Sequence, residues 1–270
     1  MRALALLLSL RGSFGCSYVE VPYPSESKTS YLIARTMELS NLFNSTSYVI
    51  QSFPRSEGRL GFVAPVNVFE MPRRMRIAFE GMNEKGLTVS ANYFQQSEYE
   101  TVRQGQRAIK SEDLVAELLA SCGDVEEVKA MLAQVAVVQS LVPCHWAVAD
   151  ASGRSIVVEY LQGRRVVYEN TARLMTNDPE LPWHWRNLNQ HVHLSASYPY
   201  QNDVLQVEVP EVGMVPKPVG HGLNLVGLPG DSSSASRFVR LFYMRGYATQ
   251  AQRCQSLEDA MEPWFTSFGW

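Results

Sequence analysis

An α+β fold, with antiparallel sheets covered by helices, is what this sequence predicts. Three observations lead there. Strand-like segments come in runs rather than alternating one for one with helices. Short hairpin-type turns join neighbouring strands. Amphipathic helical stretches sit between and after those runs. The 270 residues allow one large domain or two modest ones, and no repeat, low-complexity run or linker divides them.

Taken in order, apolar runs predict strands over Tyr31 to Met37, Ser47 to Phe53, Leu60 to Val66, Arg76 to Phe79 and Leu87 to Phe94. Between the last two, Gly81-Met82-Asn83-Glu84-Lys85-Gly86 reads as a turn, its glycines flanking a polar tip. Leu114, Leu118 and Leu119 share one face of a helix from Ser111 to Ser121. Asp124 with Glu127 makes a capping-box start for a second helix carrying Val125, Val128 and Leu132. Strands resume from His145 to Glu159, turning at Gly153, and from Arg165 to Tyr168 after Gln162-Gly163. Helices follow from Pro182 to Asn189 and from near Ser234, where Phe238, Leu241 and Phe242 line up. Leu257 to Glu262 starts a last helix that Pro263 ends or kinks, and Trp264, Phe265, Phe268 and Trp270 form an aromatic tail.

Hydrophobic residues make up 46% and charged residues 19%, the balance of a folded chain rather than a disordered one. The net charge is −3 with both signs mixed, so no basic stripe exists for a phosphate backbone and nucleic acid is not an expected partner. The apolar run Ala3 to Leu10 is too short to span a bilayer. It resembles a compressed secretory signal, with Arg2 before it and Ser13-Phe14-Gly15 leading to Cys16. This divides the chain into a leader over 1–15 and a domain over 16–270; an N-terminal strand or a misplaced start codon is the alternative. The first reading predicts a secreted or periplasmic protein, the second a cytoplasmic one. Asn44-Ser45-Thr46 is a glycosylation sequon only in a eukaryotic secretory pathway.

Cys16, Cys122, Cys144 and Cys254 form no C-x-x-C pair, and their spacing suggests neither a disulfide framework nor a zinc site. Cys122 and Cys144 read as small buried hydrophobes, whereas Cys16 lies in a small, polar, turn-like stretch. The sequence lacks a G-x-S-x-G elbow, a Walker loop, an H-E-x-x-H pair and a dinucleotide fingerprint. The glycines from His221-Gly222 to Gly230 read as turns. His184, His191 and His193 lack a carboxylate at ligand spacing, so no metal is expected.

Polar residues beside turns and strand ends remain: Arg35-Thr36-Met37-Glu38, Thr176-Asn177-Asp178-Pro179, and Gly227-Leu228-Pro229-Gly230-Asp231 leading to Ser236-Arg237. Singly, each has a structural explanation in a surface ion pair, an Asn turn or a solvated helix residue. Together with Cys16 and the segment Gly81 to Leu87, in this order from Cys16 to about Tyr243, they resemble the choloylglycine hydrolase family, which contains bile salt hydrolases and penicillin V acylases. The resemblance implies the N-terminal-nucleophile fold, two antiparallel sheets between helical layers in a four-layer αββα sandwich. It also implies hydrolysis of linear amide bonds, with no cofactor, by a cysteine that becomes the first residue.

By that resemblance Cys16 is the nucleophile and the leader is cut after Gly15. A freed α-amine, of reference pKa about 7.7–8.0, accepts the thiol proton where a peptide nitrogen cannot. Arg35 and Arg237 then favour the thiolate and hold the site. Glu38 stands where many members carry aspartate. The Asn177 amide and the Tyr93 backbone N–H become donors to the oxyanion. Tyrosine at 93, with Phe94 following, points to an aromatic or aliphatic acyl group rather than a steroid. Expected substrates are N-acyl compounds such as penicillin V, N-acyl amino acids, acyl homoserine lactones or conjugated bile acids, and a homo-oligomer is left open. Family members run some tens of residues further, so C-terminal strands of the central sheets are expected to be missing. Two alternatives stand beside this reading. One is a ceramidase-like N-acylethanolamine amidase that cuts itself before the cysteine. The other is an inactive truncated relative that serves as a binding module.

Overall fold

The computed structural model describes residues 5–8, 15–25, 28–37, 47–69, 75–192, 194, 206–209, 213–216 and 227–250. Glu38, His193, Cys254, the sequon, the glycine turn at His221-Gly222, the last expected helix and the aromatic tail lie outside the described residues.

Strands β2 (Ser17–Ser25) and β3 (Lys28–Thr36) pair antiparallel, from Ser17 opposite Thr36 to Ser25 opposite Lys28. Strand β2 is a departure from the sequence reading, which placed Cys16 in a turn; Cys16 instead leads directly into a strand. Pro22, Pro24 and Glu20 hide that strand in the sequence, and the register explains why it forms. The Glu20 N–H points away from β3, to the Arg173 carbonyl at 3.0 Å. Pro22 and Pro24 share that outer edge by the two-residue period, so their missing N–H groups take nothing from the β2–β3 ladder. Glu20 is buried but not alone: Arg173 Nη1 lies 2.5 Å away, Tyr18 donates its hydroxyl at 3.0 Å, and Ser155 donates from the other sheet. Burial still raises the Glu20 carboxyl above its ordinary value. A two-residue strand, β14 (Leu174–Met175), joins β2 antiparallel, and β1 (Ala5–Leu8) runs parallel to the end of β3.

The larger sheet runs in the order β13, β12, β11, β8, β7, β5, β4, with β6 also beside β5. These are β4 (Ser47–Phe53), β5 (Phe62–Phe69), β6 (Met75–Ala78), β7 (Glu80–Asn83), β8 (Thr88–Tyr93), β11 (Cys144–Ala149), β12 (Ser155–Leu161) and β13 (Arg164–Glu169). Its pairings are antiparallel throughout. Besides β1 with β3, one other parallel pair departs from expectation, β9 (Arg107–Lys110) with β10 (Val135–Val138). Strands β15 (Gln206–Val209) and β16 (Gly213–Pro216) form a small separate hairpin.

Alternation along β11 and β12 sets the layers. Trp146, Val148, Ile156 and Val158 pack with Leu114, Leu118, Val125, Val128 and Leu132 of helices α1 (Leu114–Ser121) and α2 (Val125–Gln134). Ala147, Ala149 and Val157, on the opposite face, join Val19, Val21 and Leu32 of the smaller sheet. Helices α3 (Leu181–Leu188) and α4 (Ser234–Gln250) add Leu181, Phe238 and Leu241 to that second core, with α4 against β2 and β14. The order is helices, sheet, sheet, helices, as the α+β reading expects.

Two predicted local devices form. The Asp124 side chain accepts the Glu127 N–H at 2.9 Å, and Glu127 returns a bond to Gly123 N–H rather than to Asp124. In the Gly81 to Leu87 turn, Asn83 accepts from Lys85 and Leu87 N–H at 3.0 and 3.1 Å and donates to the Leu119 and Cys122 carbonyls at 2.8 and 2.7 Å. That asparagine fixes the hairpin to the end of α1. The motif therefore shapes the scaffold and stands apart from the chemistry.

Candidate active site

The end of β3, the start of β2, the ends of β8 and β14 and the first turn of α4 converge at one end of the two sheets. Cys16 sits there, buried, directly before β2. Arg35 Nη2 lies 3.8 Å from its Sγ. The guanidinium is itself fixed by Asn92 Oδ1 at 3.0 Å, by the Ala91 carbonyl, and by Met37 Sδ at 3.3 Å. Glu80 stands 3.6 Å from Arg35 Nη1, an ion pair with both side chains almost wholly buried.

Asn177 follows β14 and is held at every polar atom. Its N–H donates to Ser234 Oγ at 2.9 Å, and its carbonyl meets His184 Nε2 at 3.1 Å. Its Oδ1 accepts the Cys16 N–H at 2.8 Å and Arg237 Nη2 at 2.7 Å. Its Nδ2 donates to the Tyr93 carbonyl at 2.7 Å. Nδ2 carries two hydrogens, and the Tyr93 bond uses one of them. Arg237 reaches the Cys16 carbonyl at 2.6 Å and Ser17 Oγ at 2.7 Å through Nη1. Arg237 thus grips the backbone of Cys16 and the Asn177 amide, whereas Arg35 is the cation beside the sulfur.

The loop before α4 explains how Arg237 arrives there. Asp231 accepts Ser233 N–H at 2.8 Å and Ser236 Oγ at 2.6 Å, and the Ser233 and Ser236 hydroxyls together with that N–H hold its carboxyl well below the usual range. Arg237 N–H closes the first helical bond onto the Ser233 carbonyl at 2.9 Å. Behind Asn177, His184 stacks on Phe238 with ring centroids 4.7 Å apart, and burial pushes its imidazole down to about 4. Because its Nε2 faces a carbonyl, the neutral ring donates from that nitrogen. Cys144 and Cys122 are buried as expected; burial raises both thiols, Cys122 to about 12. Among the described residues no three His, Cys, Asp or Glu side chains group for a metal ion, and no helix is long and apolar enough to cross a membrane.

Set beside known proteins, the sequence matches the choloylglycine hydrolase family of linear amide C-N hydrolases across residues 25–260. The chain belongs to that family. This family member is 34% identical over 175 residues to a bile salt hydrolase/transferase of Clostridium perfringens, covering 62% of the chain and 51% of the relative. It thus spans about half the length of that relative. A solved mutant of the conjugated bile acid hydrolase from Clostridium perfringens superposes with a TM-score of 0.68 at 25% identity, covering 93% of this chain and 78% of the other. The penicillin V acylase from Agrobacterium tumefaciens shares the fold, with a TM-score of 0.55 at 17% identity over 93% of this chain and 70% of that one.

In this family member Cys16, Arg35, Tyr93, Asn177 and Arg237 meet in one place, while Glu38 lies outside the described residues. Phe94 does not join them. It is fully buried, stacked on His145 at 4.6 Å, so it offers no surface to an acyl group. Tyr93 remains 44% exposed. Two contributors stand outside the assigned set: Asn92, which the count from the turn motif sets aside in favour of Tyr93, and Tyr48. Asn92 is fully buried and links Arg35 to the Met175 and Thr176 carbonyls at 3.3 and 2.8 Å. Tyr48 on β4 stays exposed in part; burial raises its phenol, Arg35 lowers it, and Cys16 and Glu80 raise it. A polar residue inside a predicted buried strand, as Asn92 is, was the available signal for the first; for Tyr48 there was none.

Acidification bears on the support behind Asn177. The folded value of His184 lies below its ordinary 6.5, so between about 4 and 6.5 the unfolded chain binds more protons. Stability from this group is present above pH 6.5 and is lost as pH falls through that window. Tm is expected to drop between pH 7 and pH 5, and to drop less in His184→Gln, which does not titrate. Thermal melts at the two pH values check this; an equal drop in both proteins rejects it.

Proposed function

We propose that this chain hydrolyses linear amide bonds of N-acyl compounds through an acyl-enzyme on Cys16, once residues 1–15 are gone. The observation that carries the reading is the convergence on Cys16 of Arg35, 3.8 Å from the sulfur, and of Asn177, bonded to the Cys16 nitrogen. With the leader removed, that nitrogen is a primary amine, oriented by Asn177 Oδ1 and three bonds from the sulfur of the same residue. It takes the thiol proton as sulfur adds to the substrate carbonyl, and returns it to the departing amine. The second Nδ2 hydrogen of Asn177 and the Tyr93 N–H are the donors for the oxygen that gains charge. Water then releases the acid from the thioester. Bile salt hydrolases and a penicillin V acylase among the relatives support the substrate class of penicillin V, N-acyl amino acids and conjugated bile acids. Tyr93, partly exposed and bonded through its carbonyl to Asn177, favours an aromatic or aliphatic acyl group.

The test is amine release from that panel by purified protein whose mass begins at Cys16. Hydrolysis by a chain that keeps its leader would sink the reading, since no free amine then exists. Asn177→Ala is expected to lower kcat by about 100–1,000-fold with a smaller change in KM. A change confined to KM would instead make Asn177 a substrate-binding group.

A further inference from the structure

We propose that His145 and Glu159 are a positioning pair for amide hydrolysis: Glu159 fixes the imidazole so that its Nε2–H grips the Thr176 carbonyl, and that grip aims the Asn177 amide at the reacting oxygen. This rests on the reading of Asn177 as an oxyanion donor. His145 and Glu159 lie on the paired strands β11 and β12, with both side chains almost wholly buried. Both ring nitrogens face oxygen: Nδ1 lies 3.1 Å from Glu159 Oε1, and Nε2 lies 3.1 Å from the Thr176 carbonyl. A carbonyl only accepts, so Nε2 carries a hydrogen, and Nδ1 shares one proton with the Glu159 carboxyl. Wherever that proton sits, the pair has no net charge, which suits so dry a place. A neutral ring with its hydrogen on Nδ1 would instead turn a lone pair on the Thr176 carbonyl.

Strand register carries the pair's influence to Asn177. His145 stands opposite Asn92, whose Nδ2 donates to the same Thr176 carbonyl at 2.8 Å, so two donors meet its two lone pairs. Across that peptide group the Asn177 N–H donates to Ser234 Oγ at 2.9 Å. The plane from which the Asn177 side chain departs is thus held along both edges, and a carboxylate stands behind one of the donors. Phe94, its ring 4° from parallel to the imidazole, keeps that ring from turning. Glu159 Oε1 also accepts Leu181 N–H at 3.1 Å, at the start of α3. An amide at 159 could not serve both neighbours as the carboxylate does.

The experiment compares amine release, Tm and nitrogen-15 histidine spectra of protein whose mass begins at Cys16, as wild type, His145→Gln, His145→Asn and Glu159→Gln. A glutamine amide nitrogen reaches about as far as imidazole Nε2, an asparagine amide nitrogen only as far as Nδ1. His145→Asn is therefore expected to lower kcat by about 10–100-fold with KM changed by less than about twofold, and His145→Gln to recover at least about fivefold of that loss. Glu159→Gln is expected to lower kcat as well, because its amide oxygen, kept toward Leu181 N–H, draws the imidazole hydrogen to Nδ1. In the wild type at pH 8, the His145 Nε2 signal, identified by its absence from the His145 variants, is expected to be that of a protonated nitrogen. An unprotonated Nε2 overturns the proposal even where a variant fails to fold. Equal losses in His145→Asn and His145→Gln overturn it in favour of packing, and a loss carried by KM overturns it in favour of substrate binding. Wild-type turnover matched by His145→Asn overturns this proposal alone. Absence of amine release from the wild type overturns the hydrolase reading, and the proposal with it.

Discussion

Replacing Cys16 by alanine is expected to leave a folded protein whose amide hydrolysis has fallen by about 10⁴-fold or more. The side chain lost is small and buried at the rim of the core, so the fold has little to lose with it. The reaction loses its only covalent partner. Cys16→Ser is the sharper variant, because it keeps an oxygen where the sulfur was. An unperturbed thiol titrates near about 8.5 and an α-amine near about 7.7–8.0, close enough for one to deprotonate the other, whereas a hydroxyl lies far above both. Serine should therefore be nearly as inactive as alanine. The measurement is kcat/KM on the best substrate of the panel, with Tm recorded for all three proteins. Turnover by well-folded Cys16→Ala would falsify the assignment.

Arg35→Ala is expected to cost about 3–5 kcal/mol of stability, because it leaves the buried Glu80 carboxylate without its cation. The guanidinium is buried, and Glu80 has no hydrogen-bond partner at Oε1 to fall back on among the described residues. The pH dependence separates this cause from lost packing. Burial raises the Glu80 carboxyl above its ordinary 4.5, and Arg35 opposes that rise. A folded value above the unfolded one means that the folded chain holds the extra proton as pH climbs past 4.5. Stability from such a group is lost as pH rises through that window. Without Arg35 the rise is larger, so the variant should be worst at pH 8 and recover part of its loss at pH 5. Glu80→Gln in the same background should recover it at pH 8 as well. Urea denaturation at the two pH values decides, and an equal loss at both with no rescue by glutamine would leave lost packing as the cause.

Much of the fold was legible because it rests on periodicity. The Ser47 to Phe53 strand and the Asp124 cap were read to the residue, and the helix after Leu181 nearly so. Strand β2 was not, because Pro22, Pro24 and buried Glu20 break the apolar pattern and become acceptable only once β3 and Arg173 are in place. The short β9, β10 and β14 carry too few residues for any period to show. The chemistry-bearing positions came from motif order, and their meeting point is a tertiary fact. Which cation faces the sulfur and which grips the backbone could not be told from two arginines in a sequence. Nor could the inward turn of Phe94, since adjacent strand residues point oppositely and the register decides which one is buried.

The span of the bonds around Cys16 also sets an order of events during synthesis. Its nitrogen is bonded to a residue 161 positions later and its carbonyl to one 221 positions later. Contacts this distant in sequence form late and slowly, and a chain emerging at about 5–20 residues per second has no α4 to dock until most of it has been made. Until then Cys16 is an ordinary thiol on a growing chain. On the proposed reading its reactivity waits for α4 to dock, so a ribosome that stalls before α4 is made leaves behind an inert product.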